Sequence, residues 1–136
     1  MIRLLDTNIC IYLIKRQPPE VLQRFTAYTP GDLGVSTVTA AELWYGAAKS
    51  GRPAQNRQAL DQFLLPLVIA PFDDSAARAY GRLRADLERQ GTPIGALDTL
   101  IAAHALSLGV PLVTNNVKEF ARVAGLPVEN WAEPAG

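Results

Sequence analysis

A chain of 136 residues, 49% of them hydrophobic, has the size of one compact domain, and residues 1–136 are expected to share a single core. Thirteen Lys and Arg balance thirteen Asp and Glu, which excludes a protein that coats nucleic acid through overall charge and leaves only a local patch for such contact. The single cysteine, Cys10, excludes an internal disulfide, residues 1–5 are too short for a signal-peptide core, and no apolar run reaches membrane-spanning length; the expectation is a cytoplasmic protein without membrane contact, Cys10 being a small core residue.

In chain order, short apolar runs predict buried strands at 2–5, 33–36, 67–70 and 112–114, with a weaker fifth at 128–131. A helix at 9–15 follows the first strand, and Gln17-Pro18-Pro19 and residues 49–53 read as turns between helices. Residues 74–90 form the clearest helix: Asp74 or Ser75 can cap it, Tyr80, Leu83 and Leu87 repeat at helical spacing, and Gly91 stops it. A second, at 97–108, is closed by Gly109 with Pro111 beyond. Strands alternating with helices predict an α/β domain of three layers, a mostly parallel central sheet flanked by helices, whose ligands bind at the carboxyl ends of the strands.

Three acids fall at that edge. Asp6 follows the first strand directly, where it either presents its carboxylate at the ligand-binding edge or, like Asn8, merely caps the next helix. Glu42 completes Thr39-Ala40-Ala41-Glu42, a capping-box pattern, yet Gly46 lies one turn further along the same face, where Gly instead of Ala costs roughly 1 kcal/mol. A Gly beside the Glu suggests that something approaches that face closely. Asp98 shares its row with Ala102, Ala105 and Gly109, small residues that pack close to a neighbour, although a first-turn acid also suits the helix dipole. His104, on the face of Leu97, Ile101 and Leu108, reads as a half-buried structural histidine. Carboxylates brought close together raise one another's pKa and stay ionised around a cation, and all-oxygen ligands select a hard ion, Mg2+ or Mn2+, with positions left for water and a phosphate oxygen. No P-loop or Gly-x-Gly-x-x-Gly occurs, and Asn8 stands where an Asp-x-Asp after the first strand would have its second acid.

The segments Leu5-Asp6-Thr7-Asn8, Ala41-Glu42-Leu43 with Tyr45-Gly46, Gly91-Thr92-Pro93-Ile94-Gly95 leading to Asp98, and Val113-Thr114-Asn115-Asn116 with Glu119-Phe120, Gly125-Leu126 and Glu129-Asn130-Trp131 resemble, in that order and spacing, the VapC toxins, which are PIN-domain ribonucleases. The likeness spans nearly the whole chain and is strongest to members that cut initiator tRNA. It implies a Mg2+-dependent endoribonuclease acting on tRNA or other structured RNA, held inactive by a VapB antitoxin, and forming a homodimer. Asp6, Glu42 and Asp98 match the family's acidic metal ligands. Where many PIN domains carry a fourth acid this chain has Asn116, so the fourth group is either Asn116 or Glu119, one helical turn on. Thr7, Asn8, Thr114 and Asn115 are then expected to orient the carboxylates.

RNA contact would fall to local basic residues: Arg78, Arg82 and Arg89 along the 74–90 helix, and Lys49, Arg52 and Arg57 around the polar turn. Trp44 and Tyr45 are assigned to packing, since the other apolar residues of their helix are core-like. Two other classes compete: a non-catalytic partner-binding module, and a phosphoreceiver domain in which Asp6, Asp73, Asp74 and Lys118 supply the acids and lysine. The second needs its acid pair at the first strand, and here the pair lies mid-chain.

Overall fold

Strand β1 (Arg3–Leu5) lies at the centre of the sheet because both of its faces are apolar: Leu4 enters one core and Leu5 the other, each fully buried. A computed structural model describes residues 1–132; residues 133–136, the end of the predicted domain, lie outside the described residues. Strand β2 (Leu33–Ser36) flanks β1 with Arg3 opposite Leu33, and β3 (Val68–Ala70) pairs β2 with Val35 opposite Ile69. On the other side β4 (Leu112–Val113) pairs β1 with Leu5 opposite Val113, and β5 (Val128–Glu129) closes the sheet. The order is β3-β2-β1-β4-β5 and each of these pairings is parallel. The chain therefore winds outward from β1 in one direction, then returns to wind outward in the other, which opens a crevice at the carboxyl ends of β1 and β4.

Helices α1 (Thr7–Lys15), α2 (Pro19–Thr26), α3 (Thr37–Ala48) and α4 (Pro53–Leu64) cover one face, where Leu5, Val35 and Val113 pack with Ile9, Leu13, Val21, Leu43, Leu60 and Trp131. Helices α5 (Asp74–Arg89), α6 (Ala96–Leu108) and α7 (Val117–Phe120) cover the other, where Leu4 and Leu112 meet Leu83, Leu87, Ile101 and Phe120. The predicted three layers are thus present. Helix α5 buries Leu83 and Leu87 as expected, but Ala76 and Ala79 complete the stripe and Tyr80 is only half-buried; Asp73 caps it, its Oδ1 accepting from the Ala76 N–H at 3.0 Å, in place of the expected Asp74 or Ser75. Helix α6 ends on Gly109, whose φ of 68° is the left-handed conformation that glycine adopts without strain.

Three local expectations change. Strand β3 lies at the sheet edge, with Val68 and Ile69 exposed where full burial was expected; an apolar run alone does not distinguish edge from centre. The fifth strand is only Val128–Glu129, and Trp131 leaves it to stack on Tyr28, ring centroids 5.5 Å apart. His104 is fully buried, its Nδ1 2.8 Å from Ser36 Oγ and its ring edge against Phe72. Cys10 is a fully buried core residue whose thiol is pushed well up by burial, so it is no nucleophile.

Candidate active site

Asp6 is the single residue between β1 and α1. Its Oδ1 accepts from the Ile9 N–H at 2.9 Å, so it caps the helix, and it is 4% exposed at the carboxyl edge of the central strand. The cap and the site position are the same residue. Thr114, just past β4, bonds its side chain, while the Thr114 hydroxyl itself accepts from the Asn116 N–H at 2.9 Å. Burial pushes the Asp6 carboxyl up to about 6 and the Glu42 charge adds to the rise, against the pull of Thr114, Ile9 and Asn8.

Glu42 is not a capping residue. Ser36 caps α3, its Oγ accepting from the Val38 N–H at 3.0 Å, so the helix starts earlier than the Thr39-x-x-Glu42 pattern suggests and Glu42 lies beyond its first turn. Its Oε1 accepts instead from the Thr7 hydroxyl at 2.8 Å, and Thr7 and Thr39 hydroxyls stand 3.2 Å apart. The first turn of α1 thus orients a carboxylate carried by α3.

Asp98 lies in the first turn of α6, which Gly95 begins, and it is half-buried beside Glu119. A Cβ placed on Gly95 would be 3.6 Å from Asp98 Oδ2 and 3.7 Å from Glu119 Oε1, so the two carboxyls flank that turn. Burial, then the hydrogen bond and charge of Glu119, then the charges of Asp6 and Glu42 push Asp98 up to about 7. Glu119 moves the other way: the Gly95 N–H at 2.8 Å holds it below its ordinary value, and bonds from Asp98 and Asn116 add to this. The two carboxyls titrate as a coupled pair, Asp98 raised and Glu119 lowered by their different surroundings. Asn116 donates from Nδ2 to Glu119 Oε2, which makes it the holder of Glu119, while Glu119 is the group placed beside Asp98.

Asp6, Glu42 and Asp98 open into one cleft of about 1110 Å³, also lined by Thr7, Asn8, Val38, Tyr45, Gly46, Lys49 and Gly95. Among the described residues no Lys or Arg forms an ion pair with Asp6, Glu42, Asp98 or Glu119. Nor do three His, Cys, Asp or Glu side chains among them stand close enough to hold one ion as placed. Each acid is tied to its own chain's donors, Asp6 to Ile9, Glu42 to Thr7 and Glu119 to Gly95. The donor set is all oxygen, and the Asp6 and Asp98 carboxyls are each pushed up in part by their acidic neighbours, which fits a hard divalent ion.

Of the expected orienting residues, Thr7 and Thr114 bond site carboxylates; Asn8 does so through its backbone N–H, and Asn115 spends its Nδ2 on the Tyr12 hydroxyl at 2.7 Å. Among the basic residues only Lys49 lines the cleft. Arg78 pairs with Asp74 at 2.7 Å, Arg89 with Asp86, and Arg52 reaches Gln55; Arg82 lies with Arg78 and Arg122 along a separate groove beside α5. Trp44 packs partly against the core as expected, but Tyr45 is 66% exposed on the rim, a position that its place among core-like residues concealed. The phosphoreceiver arrangement does not form: Asp73 caps α5 and Asp74 pairs with Arg78, after the edge strand β3 and not beside Asp6.

Residues 3–126 match the PIN domain family. The chain is 45% identical over 129 residues to the tRNA(fMet)-specific endonuclease VapC of Shigella flexneri, covering 95% of this chain and 97% of that protein. It is 48% identical over 128 residues to ribonuclease VapC2 of Haemophilus influenzae, covering 94% and 96% respectively. The crystal structure of DNA-bound VapBC from Salmonella typhimurium superposes with a TM-score of 0.91 at 41% identity, over 96% of this chain and 98% of the other. With the sheet order, the helical layers and the acidic cleft all in place, the likeness over nearly the full length shows that this chain belongs to the PIN-domain family, among the VapC proteins.

Proposed function

We propose that the chain is a Mg2+-dependent endoribonuclease, with Mn2+ as a substitute, and the toxin of a VapBC pair, cutting tRNA and, as in its Shigella flexneri relative, initiator tRNA. The observation that carries this reading is the convergence of Asp6, Glu42 and Asp98 on one open cleft without a paired cation among the described residues. Asp6, Asp98 and Glu42 would hold the ion, with Glu119 beside them. A bound Mg2+ would supply charge for the scissile phosphate and acidify an attacking water. Thr7 fixes the Glu42 carboxylate, Thr114 and the α1 N-terminus fix Asp6, and Asn116 with the Gly95 N–H fixes Glu119, so that the charges are set before substrate arrives. A cation held there would favour the ionised form of Asp98, whose pKa its neighbours otherwise raise.

A groove of about 480 Å³ lined by Ile11, Ile14, Leu43, Ala47 and Leu60 meets the cleft at Thr7, Glu42 and Gly46. An amphipathic helix of a VapB antitoxin fits it, and an Arg or Lys beyond that helix would reach among the acids and exclude the metal. As the family resemblance implies, two copies pair, which light scattering of the purified protein tests. The ribonuclease reading is tested by incubating purified, antitoxin-free protein with total RNA, with and without Mg2+. A discrete tRNA fragment that appears only with metal supports it; intact RNA under both conditions overturns it.

A further inference from the structure

We propose that Tyr45 and Lys49 form a nucleotide-holding platform on the rim of the acidic cleft: the Tyr45 ring takes the unstacked base next to the scissile bond, and Lys49 takes that nucleotide's phosphate. This rests on the ribonuclease reading and names how the same site grips its substrate. Tyr45 is 66% exposed although it sits on a helix that buries Leu43 and Ala47, and it shares that helix with Glu42, so ring and carboxylate line one cleft. A single exposed aromatic is ordinary on a protein surface; two neighbours make this one different. Lys49, one turn on, places its ammonium 4.8 Å from the ring centroid, which holds the ring and sets a cation beside it. It is the only Lys or Arg lining the cleft among the described residues.

Gly46 is the second neighbour. Nothing in the chain lies within 4 Å of where its Cβ would be, so no internal contact requires a glycine in the interior of α3. Gly46 lines the cleft together with Glu42 and Lys49, at its junction with the apolar groove, so a sugar-phosphate backbone can lie close to the helix there.

On the ribonuclease reading, the charge balance leaves the grip on RNA to local contacts. The chain has no net charge, so no long-range field draws a polyanion toward a cleft whose acids repel phosphates. Local contacts must supply the grip, and stacking with one adjacent cation supplies it without adding positive charge among the metal-binding acids. Every base has a stacking face, so the platform selects for an unstacked nucleotide, as in a loop, and not for base identity.

The test uses the full-length protein and an RNA hairpin whose loop carries the bond cut in total RNA, with 2-aminopurine in turn at each flanking position. In Ca2+, the wild type should quench 2-aminopurine at one flank. Tyr45→Phe and Tyr45→Trp should keep the quench, and Tyr45→Leu and Tyr45→Ala should lose it. In Mg2+, Tyr45→Ala should raise KM about tenfold or more with kcat nearly unchanged. An abasic site at the quenched flank should raise the wild-type KM equally and add nothing in Tyr45→Ala, while Lys49→Ala should raise KM and flatten its salt dependence. Tyr45 is exposed, so matching thermal melts will show that the variants fold. Wild-type activity with an unchanged KM in Tyr45→Ala, or a Leu that serves as well as Phe, overturns the platform alone. Tyr45→Ala that cuts normally but escapes its antitoxin overturns it in favour of a protein contact. A wild type that cuts no RNA overturns the ribonuclease reading, and absence of quenching then removes the platform too.

Discussion

Replacing Asp6 by Asn should make the metal-free protein more stable at pH 8 and less stable at pH 4. Asp6 is 4% exposed and its carboxyl is raised from 3.8 to about 6, chiefly by burial. Below pH 3.8 the group is protonated in both folded and unfolded chains and its contribution is fully present. As the pH rises through about 6 the folded chain must ionise a carboxyl that the unfolded chain ionises freely, and the contribution is lost. Roughly two pH units at 1.36 kcal/mol each set an upper limit of about 3 kcal/mol on that loss. Asn keeps the shape and the oxygen that accepts from the Ile9 N–H, and it carries no charge. Its amide N–H2 meets the Thr114 hydroxyl, which already accepts from Asn116, and this costs about 1 kcal/mol at every pH. The net is a gain of about 1 to 2 kcal/mol at pH 8 and a loss of about 1 kcal/mol at pH 4. Urea unfolding of wild type and variant in EDTA at both pH values measures it, and Mg2+ should then stabilise the wild type but not the variant. A variant equally destabilised at both pH values would show that Asp6 is held ionised by its own chain.

Asp98→Asn and Glu42→Gln should each lower RNA cleavage by about a hundredfold or more with melting temperatures within a few degrees of wild type, since they remove charge and keep shape; a near wild-type rate removes that residue from the ligand set. For Glu42→Gln, retained activity with a clear loss of stability would point to a structural role. Mg2+ affinity, measured by calorimetry, should weaken steadily as the pH falls from 8 to 5.5, because protons compete at Asp98, raised to about 7, and at Asp6, raised to about 6; a pH-independent Kd contradicts the carboxylate site. Gly34→Ala should destabilise the fold by about 1 to 3 kcal/mol, because its Cβ would fall 2.8 Å from the Val68 carbonyl oxygen of the adjacent strand, and an unchanged urea midpoint would refute that packing.

Much of the layered fold could be read from the sequence because each strand is an apolar run between helices whose stripes repeat at 3.6 residues, as Leu83 and Leu87 do in α5. Asp6 was legible for a related reason: a residue that immediately follows a central parallel strand has one place to go. Glu42 was ambiguous because Thr-x-x-Glu reads the same at a helix start and inside one, and the start of α3 is set by Ser36, whose hydroxyl also meets His104 from a distant helix. The choice between Asn116 and Glu119 was illegible for want of the turn at Gly95, which local pattern does not place against α7. Tyr45 was misread because helical spacing tells which residues share a face, but not where a half-covered helix meets water.

The central claim, that Asp6, Glu42 and Asp98 hold a divalent cation in the cleft, is tested most directly by crystals soaked in Mn2+ and measured for anomalous scattering. The account predicts a peak in the cleft with carboxylate oxygens of Asp6 and Asp98 about 2.0 to 2.4 Å from it. Ordered crystals that show no peak there, or a peak bound only by residues outside the cleft, would contradict it.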